Sequence, residues 1–436
     1  HPFSGPSETD QYSQELQLIG AGFDDRLQYV AGVYWYSEET EGRVNVNFLG
    51  PWDPAVANLF FFNSSASELR ADNEAVAVFA QAEWEFNDNW RATVGLRYTD
   101  EDRELESLRY VPNAASIVAN GGAVFDLGGG LYSVQRPDFL FNPEYDFDFR
   151  DRRSGKTSDS DVTPMASVQY ILDGGEWFDG GSLYLTYSEG FLSGGLSEGP
   201  SDDLEEFEPE EVENWELGFK LDLLDRRLRL NGAFFHTDYT NRQLTSLVIN
   251  SVTNSPANAT INAAESTISG FELETTWLAT QNLVLTMNAT FSDGDIDEYD
   301  DDQITLADPA LPPAEGCNRV NLTVVLIDSC PNDRSAENLP RLAEQTYLVA
   351  AQYNLETSVG AFLPRIQASW KKDMEFCFDA ASCTTERFFE DEQFDLSARI
   401  TWISSDENWV GAIYGSNLTD EDYLVGAVAL VESSGV

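Results

Sequence analysis

Basic residues are scarce. Lys and Arg number 25 against 76 Asp and Glu, a formal charge of −51. Binding to a nucleic-acid backbone requires Lys and Arg to displace its counterions, so this balance excludes nucleic acid as a partner. Long apolar runs are also absent. No stretch reaches the roughly 18 residues of a membrane helix, so any contact with lipid must be made by strands. No charged-then-apolar leader opens the chain, and His1 stands in a loop-like segment with no starting Met, which suggests a mature or truncated fragment. Histidine occurs only at His1 and His236. With one interior imidazole and no Gly-x-Ser-x-Gly, no catalytic constellation is expected, and no cofactor.

Cysteine is limited to Cys317, Cys330, Cys377 and Cys383. They form two close pairs in polar, loop-like segments. Zinc is the competing reading, but Cys-x-x-Cys spacing is missing and both histidines lie far away. Local pairing is the simplest connectivity, and disulfides imply export through an oxidising compartment.

The acid excess suits solvated loops more than it identifies a ligand. Aromatics are plentiful, with 10 Trp, 17 Tyr and 27 Phe, which suits interface girdles or a large soluble β core. The stretch Ser182 to Gln243 organises the rest. Trp215, Leu217, Phe219, Leu221 and Leu223 alternate with Asn214, Glu216, Gly218, Lys220 and Asp222, the signature of a strand apolar on one face. The clipped Asp225-Arg226-Arg227 turn is too short for a crossover, so the next strand returns antiparallel.

The same pattern recurs along the chain. Val76, Val78, Ala80, Ala82, Trp84 and Phe86 face Gln81, Glu83 and Glu85 across a strand; Ala92, Val94, Leu96 and Tyr98 oppose Arg91, Thr93, Arg97 and Thr99. About fourteen such strands are expected, joined alternately by short and long connections. Short turns fall near residues 22, 88, 176, 226, 281, 358 and 406. Long loops are read at about Asp100–Asp161, Asn250–Ala264 and Asp293–Leu342. Two-end segregation of this kind favours an all-β, antiparallel transmembrane β-barrel with short periplasmic turns and long extracellular loops. Every backbone group in a bilayer must be paired, so a sheet with two open edges requires further strands.

At this point the chain resembles a known family. SQELQLIG with DRLQYVAGVYWYSEE, the hairpin AVFAQAEWEFNDNWRATVGLRYTDEDRE, YLTYSEGFLSGG, FEPEEVENWELGFKLDLLDRRLRLNGAFFHTDYTN, NLPRLAEQTYLVAAQYNL and GSNLTDEDYLV look like the barrel of a TonB-dependent outer-membrane receptor. The resemblance implies a barrel of about 22 strands, closed by an N-terminal plug carrying a TonB box. Residues 1–436 would then be part of that barrel, with the plug, the first strands and the last strand outside it. The implied function is uptake of a scarce nutrient, foremost a ferric siderophore or similar iron complex, at the outer membrane. The implied partners are outer-membrane lipids and the TonB–ExbB–ExbD energy-transducing complex, the latter through the plug. The alternatives are a secreted acidic β-rich calcium-binding adhesin or surface protein, and a passive porin.

Candidate ligand contacts are Trp52, Phe60, Phe61 and Phe62, because aromatic surfaces beside polar groups suit siderophore or sugar rings; the plainer reading packs the loop on itself. Asp293, Asp295 and Asp297, followed by Asp300, Asp301 and Asp302, offer oxygen ligands of the kind calcium takes. They lack the glycine and glutamate placement of an EF-hand, and a solvated acidic loop explains them as well. His236, after Phe234 and Phe235, reads as an ordinary rim or wall residue.

Overall fold

The computed structural model describes residues 7–49, 62–112, 123–128, 131–135, 147–198, 203–250, 255–306, 311–313, 315–322, 325–333, 335, 339–376 and 389–424. Every regular element among them is a β-strand. Seventeen strand segments join one sheet. Fourteen of these form a continuous antiparallel meander from Ser7–Gly22 to Val410–Gly415, each pairing with its predecessor and successor. The all-β, antiparallel reading and its strand number agree with this sheet. Among the described residues the first strand pairs only with Leu27–Leu49, and the last only with Gln393–Ile403.

The two faces of the sheet differ in the sense that the alternation requires. Leu96 lies opposite Ala80 on one neighbour and Pro164 on the other, and Val94 opposite Ala82 and Ala166, so the apolar side chains of adjacent strands share one face. That face is the open one: Val94 and Leu96 are 58% and 55% exposed, whereas Thr99 on the polar face is 8% exposed. A soluble sandwich would show the reverse.

Two rows of aromatics bound the apolar face. Near the short turns Trp90 meets Tyr170 at 4.8 Å and Phe23 meets Trp84 at 5.2 Å between ring centroids. Toward the other end Tyr187 meets Trp215 at 4.7 Å, Phe234 meets Phe271 at 4.6 Å, and Tyr347 meets Trp370 at 5.4 Å. On one strand Trp90 and Tyr98 mark the two rows; the residues between them span roughly 27 Å, or about 20 Å along the axis of a sheet whose strands tilt by about 40°. Outer-membrane barrels carry an apolar band about 25 Å tall.

Short connections gather at one end. They join Gly22 to Leu27, Glu85 to Trp90, Asp173 to Gly180, Leu223 to Leu228, Leu278 to Leu283, Tyr353 to Gly360 and Ile403 to Val410. Two of them use three successive left-handed residues, Phe23, Asp24 and Asp25 (φ 55°, 57° and 65°), and Leu224, Asp225 and Arg226 (φ 58°, 58° and 59°). Asp tolerates this region better than most residues, which suits it to such turns.

At the opposite end the strands outrun their sequence-based limits. Phe62–Glu85, Ser255–Leu278 and Leu283–Leu306 are each 24 residues long, about 80 Å if fully extended, against roughly 30 Å of hydrocarbon. Much of the segments read as loops at Asp100–Asp161, Asn250–Ala264 and Asp293–Leu342 is therefore strand: Trp90–Pro112 and Phe147–Asp173 continue paired to Pro112–Phe147, and Leu228–Asn250 pairs with Ser255–Leu278 to Asn250–Ser255. Above the band the outward face is polar as well, so the apolar half of the period-two pattern ends while the ladder does not. Cross-strand ions line it instead, with Arg70–Glu41 at 3.2 Å, Arg152–Glu106 at 2.8 Å and Lys156–Asp102 at 3.3 Å.

Candidate functional site

The polar face above the aromatic rows builds a chamber wall from residues far apart in sequence. Pairing between Phe147–Asp173 and Gly180–Leu192 stops at Met165–Ser188, and that of Gly180–Leu192 with Glu210–Leu223 stops at Leu192–Glu210. Phe147–Asp173 and Leu228–Asn250 continue past them. A small hairpin, Gly195–Glu198 with Leu204–Phe207, lies in the resulting notch and touches both the Phe147 and the Ser255 strands.

Both flanks hold it through the backbone. On one side Arg103 donates from Nη1 to the carbonyls of Ser193 (3.2 Å) and Gly194 (3.0 Å), while its Nε binds Glu101 at 2.7 Å. Ser193, 2% exposed, donates to the other Glu101 oxygen at 2.7 Å. On the far side Gln243 donates from Nε2 to the carbonyls of Ser193 (3.0 Å) and Glu208 (3.1 Å). Asn262 exchanges two hydrogen bonds with the Glu208 backbone, at 2.6 and 2.8 Å. A Cβ on Gly194 would stand 2.3 Å from the Phe207 carbonyl oxygen, so only glycine allows the two arms to approach.

Asp159 sits opposite Glu101 in the ladder. Burial raises its carboxyl above the ordinary value of 3.8 and the Glu101 charge adds to this, against the Gly194 amide and the Arg103 guanidinium, which lower it. An apolar patch lies on the same wall: Leu244, Ala264, Ile296, Tyr299 and Leu339, with Ile268 and Leu342 against them. Tyr299 and Ile296 are 2% and 1% exposed.

Lower on the polar face, Arg97 lies over the rings of Tyr34 (5.5 Å) and Phe79 (5.9 Å), and Lys220 over Tyr184 (5.6 Å). The buried apolar patch and the occupied backbone carbonyls stiffen this wall, while the aromatic faces and cations below it can capture and orient a solute.

Trp52, Phe60 and Phe61 lie outside the described residues, and so does the Phe62 side chain, although Phe62 begins a strand. Cys377 and Cys383 also lie outside them. A disulfide joins Cys317 to Cys330, Cα to Cα 4.2 Å, on the hairpin Asn318–Leu322 with Val325–Asp333, where Arg319 pairs Asp328 at 2.7 Å. Asp293, Asp295 and Asp297 alternate with buried Gly294 and Ile296 and are exposed. Neighbours on one face of a strand stand about 7 Å apart, and among the described residues no three His, Cys, Asp or Glu groups could hold a metal ion. Thr267 donates to Asp297 at 2.7 Å. His236 pairs across the ladder with Ser269, 2.7 Å from its Nδ1, at the rim.

Reading the sequence missed the clamp formed by Glu101, Arg103, Asp159, Gln243 and Asn262. Its one visible signal was Gly194-Gly195 flanked by a Ser and followed by Phe207, a pattern that marks close backbone approach without naming the partner.

Residues 2–371 match the family model described as TonB dependent receptor-like, beta-barrel. Comparison with curated proteins finds no match. Among solved structures the chain is similar to the ferric yersiniabactin uptake receptor FyuA from Yersinia pestis (TM-score 0.63, 16% identity, 97% of this chain and 50% of that one). It is also similar to the siderophore receptor PiuA from Acinetobacter baumannii (TM-score 0.63, 14% identity, 96% and 53%). The outer-membrane ferripyoverdine receptor of Pseudomonas aeruginosa, bound to ferripyoverdine, follows at TM-score 0.56 and 12% identity (95% and 52%). The chain spans about half the length of these receptors.

Proposed function

Because the chain belongs to the TonB-dependent receptor family, in its β-barrel region, we propose that it forms part of the wall of an outer-membrane receptor importing a ferric siderophore or a similar iron complex. The observation that carries this is the sorting of connections: every short turn lies at one end of an apolar band bounded by two aromatic rows, and the tall strands rise from the other. A wall threaded from the periplasm has this form. The similar solved structures named above are a ferric yersiniabactin uptake receptor, a siderophore receptor and a ferripyoverdine receptor, which supports this cargo class.

In this reading cargo enters from the tall end and meets Trp52, Phe60 and Phe61, which precede the strand Phe62–Glu85 in sequence, and Phe62 at its start, then the chamber held by the Arg103 and Gln243 clamps. Both lateral strands of the sheet pair on one side only among the described residues, so further strands would complete the wall and a plug would close its lumen. Energy would reach the plug from the TonB–ExbB–ExbD complex and shift the receptor from closed to open.

The test is detergent extraction of the full-length parent followed by gel mobility with and without heating. A faster-migrating unheated form that appears only in the membrane fraction is expected; a protein soluble without detergent would contradict the assignment.

A further inference from the structure

Most arginines of the described wall are matched to carboxylates, as in Arg91–Glu85 at 2.7 Å, Arg103–Glu101 at 2.7 Å and Arg229–Asp222 at 2.9 Å. In a chain with 76 acidic residues to 25 basic ones, that is the expected state. Arg97, Arg242, Arg365 and Arg399 depart from it, with a hydroxyl, an amide or an aromatic ring as partner, and of the four only Arg365 and Arg399 share one level of the ladder. They stand directly opposite one another on Gly360–Lys371 and Gln393–Ile403, and among the described residues neither forms an ion pair. Arg365 donates to Gln367 Oε1 at 3.0 Å, and Arg399 to Thr401 Oγ1 at 3.0 Å; both acceptors are neutral.

Both side chains belong to the polar face, since the next residue in each strand, Ile366 and Ile400, is 51% and 53% exposed on the apolar one. Their height is fixed by Trp402 below and Phe394 above, so they face the lumen between the aromatic rows. The row extends sideways to Gln352 on one neighbour and Tyr414 on the other, and the Arg399 guanidinium lies 5.8 Å from the Tyr414 ring centroid.

Like charges directly opposite in a ladder destabilise it, and ionisable groups at membrane depth mark functional positions. Arg365 leans toward Gln367 and Arg399 toward Thr401, and two guanidiniums rooted at one level can swing together over a shared carboxylate or phosphate, each offering an N–H fork to its oxygens. The amide of Gln352 and the hydroxyl of Tyr414 add neutral donors at the same level.

We propose that Arg365 and Arg399 form a two-guanidinium site on the lumenal wall that takes a carboxylate or phosphate oxyanion. The oxyanion has two possible sources, a solute in the lumen or the acidic side chains of a protein segment that fills it. The proposal rests on the barrel reading, because only there does the polar face line a lumen.

The experiment uses the full-length parent folded in detergent, its fold verified by heat-modifiable mobility, with thermal unfolding followed by tryptophan fluorescence. Citrate, inorganic phosphate and a hexaglutamate peptide are each compared with chloride at matched ionic strength. The wild type is expected to gain several degrees, and Arg365→Gln/Arg399→Gln to lose most of that gain while unfolding at or above the wild-type temperature in chloride, its repulsion relieved. A half-maximal hexaglutamate concentration at least tenfold below that of citrate and phosphate assigns the site to a protein segment; the reverse order assigns it to a solute. Equal gains in both proteins, or none in the wild type, overturn the proposal. In the wild type alone, phosphate should slow phenylglyoxal labelling of Arg365 and Arg399 but not of Arg97; equal protection of all three also overturns it. A chain that passes the mobility check yet shows no oxyanion effect refutes the site and leaves the receptor reading standing.

Discussion

The guanidinium of Arg103 lies 3.0 Å from the carbonyl oxygen of Gly194, a residue 91 positions further along the chain. A charged side chain on one tall strand thus grips the backbone of the hairpin that fills the notch beside it. Hydrogen bonds to a charged group contribute about 1.5–3 kcal/mol each, and removing one partner leaves the other stranded. Arg103→Ala should therefore loosen the hairpin without unfolding the wall. In hydrogen exchange, amides of residues 193–198 and 204–207 should lose protection by at least tenfold while those of Trp90–Tyr98 stay unchanged; a uniform loss along the sheet would contradict the clamp.

Two aspartates titrate in opposite senses. The raised Asp159 carboxyl favours the folded chain while protonated, so its contribution is complete below the ordinary value of 3.8 and is lost as pH rises through the higher folded value. Asp406, pushed down to about 2 by hydrogen bonds from the Ser404 hydroxyl and the Asn408 side chain and backbone, stabilises its turn above 3.8 and stops doing so as pH falls toward 2. Asp159→Asn, whose amide oxygen can still accept from Gly194, should melt above wild type at neutral pH, with the difference vanishing below pH 4. Asp406→Asn should melt below wild type at neutral pH and converge with it near pH 2. Melting temperatures measured from pH 2 to 8 decide both signs.

What the sequence disclosed, and what it hid, follow from where water is. Val94 and Leu96 announce their strand because lipid on one side and a wet lumen on the other force alternation. Thr157 and Asp159 continue the neighbouring strand just as regularly, yet nothing in their order betrays it, since both faces there are polar and only the backbone ladder remains. The turns were legible because Asp24 and Asp225 tolerate the left-handed backbone. The clamp was not, because Arg103, Gln243 and Asn262 converge through register and strand height, which local composition does not encode.

Charge placed on the two faces should separate them. Leu96→Arg puts a guanidinium into the apolar band and should destabilise the folded chain in bilayers by about 2–4 kcal/mol, whereas Gln81→Arg, on the polar face of the adjoining strand, should stay within about 0.5 kcal/mol of wild type. Urea titration of the chain folded into lipid vesicles measures both. Equal losses would show that neither face meets lipid.

The Cys317–Cys330 bridge closes a segment with a sequence separation of 13, a constraint of about 3 kcal/mol on the open chain for a loop near that size. Cys317→Ser/Cys330→Ser should expose amides of Asn318–Leu322 and Val325–Asp333 to exchange and leave the mobility shift of the folded wall intact. Loss of the shift would mean that the hairpin supports the wall and does not merely decorate it.

The most direct measurement is spin labelling at each position from Trp90 to Tyr98, with the chain folded into bilayers. Collision with oxygen, which concentrates in lipid, should peak at Ala92, Val94 and Leu96; collision with a water-soluble nickel chelate should peak at Arg91, Thr93 and Arg97, the two profiles alternating out of phase. Oscillation in phase, or labels on both faces screened from oxygen and nickel alike, would place this strand in a dry two-layer core and contradict a membrane-spanning wall.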